Sequence, residues 1–291
     1  MIAIYHPAVT PPTAIAMREL LHRYDGLLLD VYGVLLDAQG PLPGARELIA
    51  ALDARGIPYA IVTNDASRSP TTYSARFERH GIAVPPERFV TSGSLLPGYF
   101  AANGLAGART LVLGTADSRA YVEQGKGVVV PLAPNIEIDA LAVCDDDGFE
   151  FLPGIEEALT AVIRAVEAGR RPALVLPNPD LVYPKGGGAL GFTAGAIAML
   201  IEAGLGRRFP AANLRFAHLG KPEPHLFAEA ARRLELAPGR LVMIGDQLET
   251  DIAGARAAGI PAALLSGVSS WDHARATARI APDYLLDELA P

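Results

Sequence analysis

The chain has 291 residues, half of them hydrophobic, and a formal net charge of −7. That length points to two domains, or one domain with a large insertion, and the negative balance argues against nucleic acid as a partner, since phosphate backbones need a basic face. No stretch approaches the roughly 20 uninterrupted apolar residues of a membrane span, and the single cysteine, Cys144, excludes an internal disulfide and suits a reducing cytoplasm.

Met1–Pro12 holds three prolines and no Lys or Arg, unlike a secretory leader. From there strand-like runs alternate with amphipathic helical ones, the pattern of an α/β fold with a parallel sheet. The run LLLDVYGVLLD (Leu27–Asp37) opens it as a buried strand that ends at Asp30. Pro43-Gly44 then starts a helix through Ala54, with Leu48, Ile49 and Leu52 on one face. A strand is expected over Pro58–Thr63, a polar loop over Asn64–Pro70, a helix to about His80 and a short strand at Phe89–Thr91. Further strands are expected near Leu111, Ala140, Leu174, Leu214, Leu241 and Ala262. The clearest helical period runs from Ile155 to Ala168. CDDDGFEF (Cys144–Phe151) has three aspartates that could hold Ca²⁺, but Asp-Gly between apolar runs reads as a hairpin turn. PKGGG (Pro184–Gly188) reads as a solvated loop or a phosphate cradle.

In open α/β sheets ligands gather at the carboxyl ends of the strands. Four such ends carry polar groups here: Asp30; Thr63 and Asn64 in AIVTNDAS; Lys221, expected to start a helix in GKPEPHLF; and Asp246 with Asp251 in GDQLETD. Only three of the 25 Lys and Arg residues are lysines (Lys126, Lys185 and Lys221), so each lysine is informative. The set suits phosphoryl transfer. Asp30 supplies a nucleophile, and Asp30 with Asp246 a hard oxygen site for Mg²⁺. Thr63 and nearby backbone amides supply donors to phosphoryl oxygens, and Lys221 a neutralising cation. Each residue alone fits a cap, a turn or a solvated surface. Their shared order and spacing favour the joint reading.

These four motifs resemble those of the haloacid dehalogenase (HAD) superfamily, in the same order and across nearly the whole chain. DVYGVLLDAQGPLPGA, VTNDASRSP, VLPNPDLVYP, GKPEP and MIGDQLETDIAGARAAGI are most similar to its p-nitrophenyl phosphatase and pyridoxal phosphatase-like branch. The resemblance implies a Rossmann-like core and a Mg²⁺-dependent, cytoplasmic phosphatase of a small phosphorylated metabolite. It implies Asp30 as nucleophile and Mg²⁺ on Asp30, Asp246 and the Tyr32 carbonyl, supported by Asp251. Gly33, Thr63, Asn64 and Lys221 would attend the phosphate. Asn178, Asp180 and Lys185 fall where the branch places substrate-facing residues.

Spacing bears on the same question. Asp30 and Thr63 are 33 residues apart, room for one helix and its turns, whereas Thr63 and Lys221 are 158 apart, far more than one crossover needs. An α/β cap is therefore expected as an insertion over residues 93–205, between core segments 1–92 and 206–291. The dehalogenases proper carry their cap earlier.

Tyr32 departs from the branch, whose phosphatases usually have Asp there as general acid and base. A phenol titrates near ~10, so it donates a proton but is a poor base at neutral pH. Dehalogenases proper do have Tyr at this position, which keeps hydrolysis at carbon open. So is a weakened phosphatase retained as a metabolite-binding protein. Asp65 and Asp37 are the candidate substitutes for the absent acid. Oligomeric state is left open by the sequence, a homodimer among the options.

Overall fold

The computed structural model describes residues 11–266, 271 and 280–291. The reading of the first residues as leaderless falls largely on residues 1–10, outside the described residues. The chain separates into two compact units. One takes in the chain up to Val62, Ser74–Phe89 and the chain from Pro222 onward; the other takes in Thr63–Tyr73 and Val90–Lys221.

The first unit is organised by a seven-stranded sheet. Its order is Thr13–Ala14, Tyr284–Leu286, Ala262–Leu265, Leu241–Gly245, Gly26–Leu29, Tyr59–Thr63, Phe89–Thr91. Gly26–Leu29, Leu241–Gly245 and Ala262–Leu265 are buried along their whole length, which is why they read as unbroken apolar runs rather than alternating ones. From Thr13–Ala14 through to Tyr59–Thr63 the neighbouring strands pair in parallel, with Leu29 opposite Ile244 and Ile61. From Gly26–Leu29 the chain first builds outward to one side and later returns to build outward from the other. The strand order therefore reverses between Gly26–Leu29 and Leu241–Gly245, the switch point where open α/β sheets bind ligands.

The second unit has a five-stranded parallel sheet in the order Ala217–His218, Ala173–Leu176, Ala140–Val143, Arg109–Leu113, Val128–Val130. Period-two alternation divides its side chains. Leu111, Leu113, Leu141, Val143, Leu174 and Leu176 face the helices Phe151–Glu167 and Ala194–Arg208. Val112, Ala142 and Val175 pack with Leu96, Phe100, Tyr121 and Val122 of Leu96–Ala102 and Ala116–Gln124. Both units are thus helix-covered parallel sheets, as the alternation of elements predicts.

Three local expectations differ. CDDDGFEF is no hairpin: the strand Ala140–Val143 is followed by a loop and then by the helix Phe151–Glu167. Pro153 falls in that helix's first turn, where a missing N–H does no harm. PKGGG is not an open loop. Val182–Gly186 and Ala189–Phe192 pair as an antiparallel hairpin whose two loop residues, Gly187 and Gly188, both have positive φ (59° and 80°). Gly-Gly is suited to that turn. The strand expected near Leu214 forms at Ala217–His218 and joins the second sheet.

Leu28 lies at the centre of the first sheet with no exposure. Leu28→Ala should cost about 2–5 kcal/mol of unfolding free energy, read from urea denaturation; a loss below about 1 kcal/mol would mean the sheet centre repacks around the gap.

Candidate active site

Asp30 and Asp246 each follow the last residue of a central strand, and the strands are neighbours in register. Asp251 comes from a single π-helical turn, Leu248–Ile252, a geometry that recurs at functional sites. The three carboxylates are 5%, 0% and 0% exposed, and one oxygen of each lies within 4.8 Å of the others. A buried all-oxygen trio of this kind fits a hard divalent cation such as Mg²⁺ or Ca²⁺ rather than a thiolate- or imidazole-seeking metal.

The loop after Asp30 is shaped around this group. Gly33 has φ +83°, and a Cβ built on it would stand 2.0 Å from Asp246 Oδ2. Glycine is required twice over, for conformation and for space. Its N–H bonds Leu36 O at 2.9 Å, so what Gly33 gives the site is room. Tyr32 is half-buried. Its phenol oxygen accepts from Arg76 Nη1 at 2.5 Å, and the guanidinium carbon lies 5.1 Å from the ring centroid. Arg76, on the helix Pro70–Arg79, is a neighbour that the sequence reading did not single out; an arginine within a helix facing a strand-end loop carries no motif of its own.

The second unit gathers another group. Thr63, 4% exposed, ends the strand Tyr59–Thr63, and its Oγ1 accepts from Asp65 N–H at 3.3 Å, which leaves its own hydrogen to donate. Lys221 is 3% exposed and sits in the turn before the helix His225–Leu234, not at its first turn. Pro222 and Pro224 lie between Lys221 and the start of that helix. Asn64 bonds the Lys221 backbone and Asp180 (distances below). Asn178 is buried beside them, its Oδ1 accepting from Asp180 N–H. Lys185 is not part of this group: it is exposed on the hairpin, with Nζ 5.6 Å from the Tyr183 ring.

The segment that follows Asn64 is bonded along its length to the helix Ala116–Gln124 and its cap. Ser118 Oγ donates to Ala66 O (2.8 Å), Thr115 Oγ1 to Ser67 O (2.6 Å) and Tyr121 OH to Arg68 O (2.9 Å). Asp117 Oδ2 accepts from Ser69 N–H (2.7 Å) and Thr72 Oγ1 (2.6 Å). Asp65 accepts from Ser67 N and Oγ on one oxygen and from Arg68 Nη1 and Tyr73 OH on the other. Asp37 accepts from Gln39 and Gly40 N–H. Both carboxylates considered as substitute acids are thus engaged as acceptors in local turns.

Residues 27–126 match the family described as haloacid dehalogenase-like hydrolase, and residues 218–291 match the description HAD-hydrolase-like. A D-glycerol 3-phosphate phosphatase of Mycobacterium tuberculosis is 30% identical over 94% of this chain and 72% of its own. The chain belongs to the haloacid dehalogenase-like hydrolases. A dihydroxyacetone phosphatase of Corynebacterium glutamicum is 29% identical over 83% of this chain and 81% of its own. A glycerol phosphate phosphatase of M. tuberculosis, solved in complex with magnesium, superposes with a TM-score of 0.76 at 27% identity, covering 93% of this chain and 76% of that one.

One further acid of this hydrolase is electrostatically unusual. Burial pushes the Asp145 carboxyl from its ordinary 3.8 up to about 6, with Asp146 and Asp65 adding in the same direction against a hydrogen bond from Ser67. A carboxyl raised in the folded state contributes stability below its unfolded pKa and loses it as pH rises through the folded value. Asp145→Asn, whose amide oxygen can still accept from Asp146 and Asp147 N–H, should therefore match the wild type near pH 4 and exceed it by about 1–2 kcal/mol above pH 7. Urea unfolding at the two pH values measures this, and an equal difference at both would remove the charge explanation.

Proposed function

We propose that this hydrolase is a phosphatase of small phosphorylated metabolites, with Asp30 as nucleophile. The observation that carries the reading is the buried trio of Asp30, Asp246 and Asp251 at the ends of adjacent central strands. The names of its relatives support it: they are phosphatases of glycerol 3-phosphate and dihydroxyacetone phosphate, and one was solved with magnesium.

In this reading an Asp30 oxygen attacks phosphorus, the substrate's ester oxygen leaves, and an aspartyl-phosphate forms. Water then attacks that phosphorus, releases inorganic phosphate and restores Asp30. Mg²⁺ held by Asp30, Asp246 and the Tyr32 carbonyl, with Asp251 behind, would neutralise charge on the phosphoryl oxygens. The Thr63 hydroxyl donates to one such oxygen, and the Lys221 ammonium carries another. Asn64 supports the phosphate through its backbone, since its amide is already bonded. The inserted segment acts as a cap, and its exposed Lys185 is the candidate there to meet substrate. Among the described residues no helix is long and apolar enough to cross a membrane, and we place the enzyme in the cytoplasm.

Asp30→Asn should lower phosphate release by at least about 10³-fold while remaining folded by circular dichroism. Excess EDTA should silence the wild type, and Asp246→Asn should weaken Mg²⁺ binding in calorimetry by at least about tenfold. Halide release that survives EDTA would instead assign hydrolysis at carbon.

Tyr32 makes a sharper demand. Its oxygen accepts from Arg76, and its side chain is not the carboxyl that would protonate a leaving group. Leaving groups of low pKa hardly need protonation, whereas alkoxides do. An aryl phosphate should exceed a matched alkyl phosphate in kcat/KM by about 10²-fold, and Tyr32→Asp should narrow that ratio. Equal rates in the wild type would show that another group already supplies the proton.

A further inference from the structure

Asn64 follows Thr63 directly and invites assignment to the phosphate, yet its side chain is engaged elsewhere. Oδ1 accepts from Lys221 N–H at 2.6 Å. Nδ2 donates to Lys221 O at 3.0 Å and to Asp180 Oδ1 at 2.9 Å. A primary amide has two N–H donors, and both are used. The amide thus grips both backbone groups of a single residue, across 157 positions of sequence.

Asp180 decides which way that grip faces. An ionised carboxylate accepts and does not donate, so the nitrogen end of Asn64 must turn toward it, which leaves Oδ1 for Lys221 N–H. A flipped amide would set two oxygens against each other. Asp180 is in turn held from behind. Asn178 Oδ1 accepts its N–H at 3.1 Å, Asn178 Nδ2 makes a long bond of 3.4 Å to Thr193 Oγ1, and Gly195 N–H bonds Asp180 O at 3.0 Å. The packing leaves no slack, for a Cβ on Gly220 would stand 2.5 Å from Asn64 Oδ1.

We propose that Asp180 and Asn64 are positioning residues that fix the Lys221 backbone, and through it the ammonium, and that Asp180 acts by way of Asn64 rather than on substrate. This rests on the reading of Lys221 as the phosphate-binding cation. It also gives Asn178 a defined part, as the side chain that shapes the turn presenting Asp180.

The test variant is Asp180→Asn, equal in size but able to present a donor and so to release the orientation of Asn64. Its kcat should fall by about 10- to 100-fold, by the same factor for aryl and alkyl phosphates. Amide exchange at Lys221 should quicken in the unliganded protein. In a Lys221→Met background, assayed with an aryl phosphate, Asp180→Asn should have no further effect on kcat. Three results would each overturn the proposal: a full additional loss in Lys221→Met, a substrate-dependent factor that marks direct contact, or unchanged exchange at Lys221. If Asp180→Asn does not fold, Asn64→Ser is read by the same measurements. A wild type that releases no phosphate from any substrate would sink the phosphatase reading, and exchange at Lys221 would then decide this proposal alone.

Discussion

The gathering of three buried carboxylates at the ends of neighbouring strands is the constraint around which the first unit is arranged. Asp30, Asp246 and Asp251 cannot be spread apart, because two of them are fixed by neighbouring strands whose register is set by Leu29 opposite Ile244. The strands themselves are held by burial on both faces. The placement of the carboxylates is therefore maintained by apolar packing some residues away from them. Such packing is the dominant favourable term in folding, so it can fix polar groups at the strand ends. Gly33 yields its side chain for the same reason, since the carboxylate of Asp246 occupies the place where a Cβ would be.

Much of this was legible in the chain. Continuous apolar runs identify strands covered on both faces, and an aspartate directly after such a run is conspicuous. The parallel α/β class, most strand positions and membership of the hydrolase family all follow from features of that local kind. Other features depend on partners that sequence does not place. Arg76 meets Tyr32 across 44 positions and Asp180 meets Asn64 across 116, and neither pairing has a spacing rule. The hairpin at Gly187-Gly188 is a different case. Its Gly-Gly turn signal was present, but three consecutive glycines fit a solvated loop equally well. In CDDDGFEF the Asp-Gly pair suggested a hairpin, while Pro153 two residues into the helix marked the true start.

Asn64 illustrates how a residue beside a motif acquires a different task from the motif. Its neighbour Thr63 keeps a hydroxyl hydrogen to donate. Asn64 turns the other way, and its amide imitates one rung of a β-ladder by pairing with the N–H and C=O of one residue. A hydroxyl has one hydrogen and cannot do this. Aspartate can accept but not donate, and glutamine adds a methylene that Gly220 leaves no space for. The requirement for asparagine is thus set by hydrogen-bond inventory rather than by charge.

The bonds from the helix Ala116–Gln124 to residues 66–72 bear on how such a protein can be recombined. Seen along the sequence, the large segment after Phe89 looks like a cassette that could be exchanged for that of another hydrolase. In space, the stretch Thr63–Tyr73 belongs with that segment, and each of its carbonyls at Ala66, Ser67 and Arg68 is answered by a side chain of the cassette's second helix or of its N-cap, Thr115. A chimera cut at the sequence boundary would strand those carbonyls opposite foreign side chains, directly beside Thr63. The heritable module is discontinuous, and successful exchange requires the short early piece to travel with the long later one.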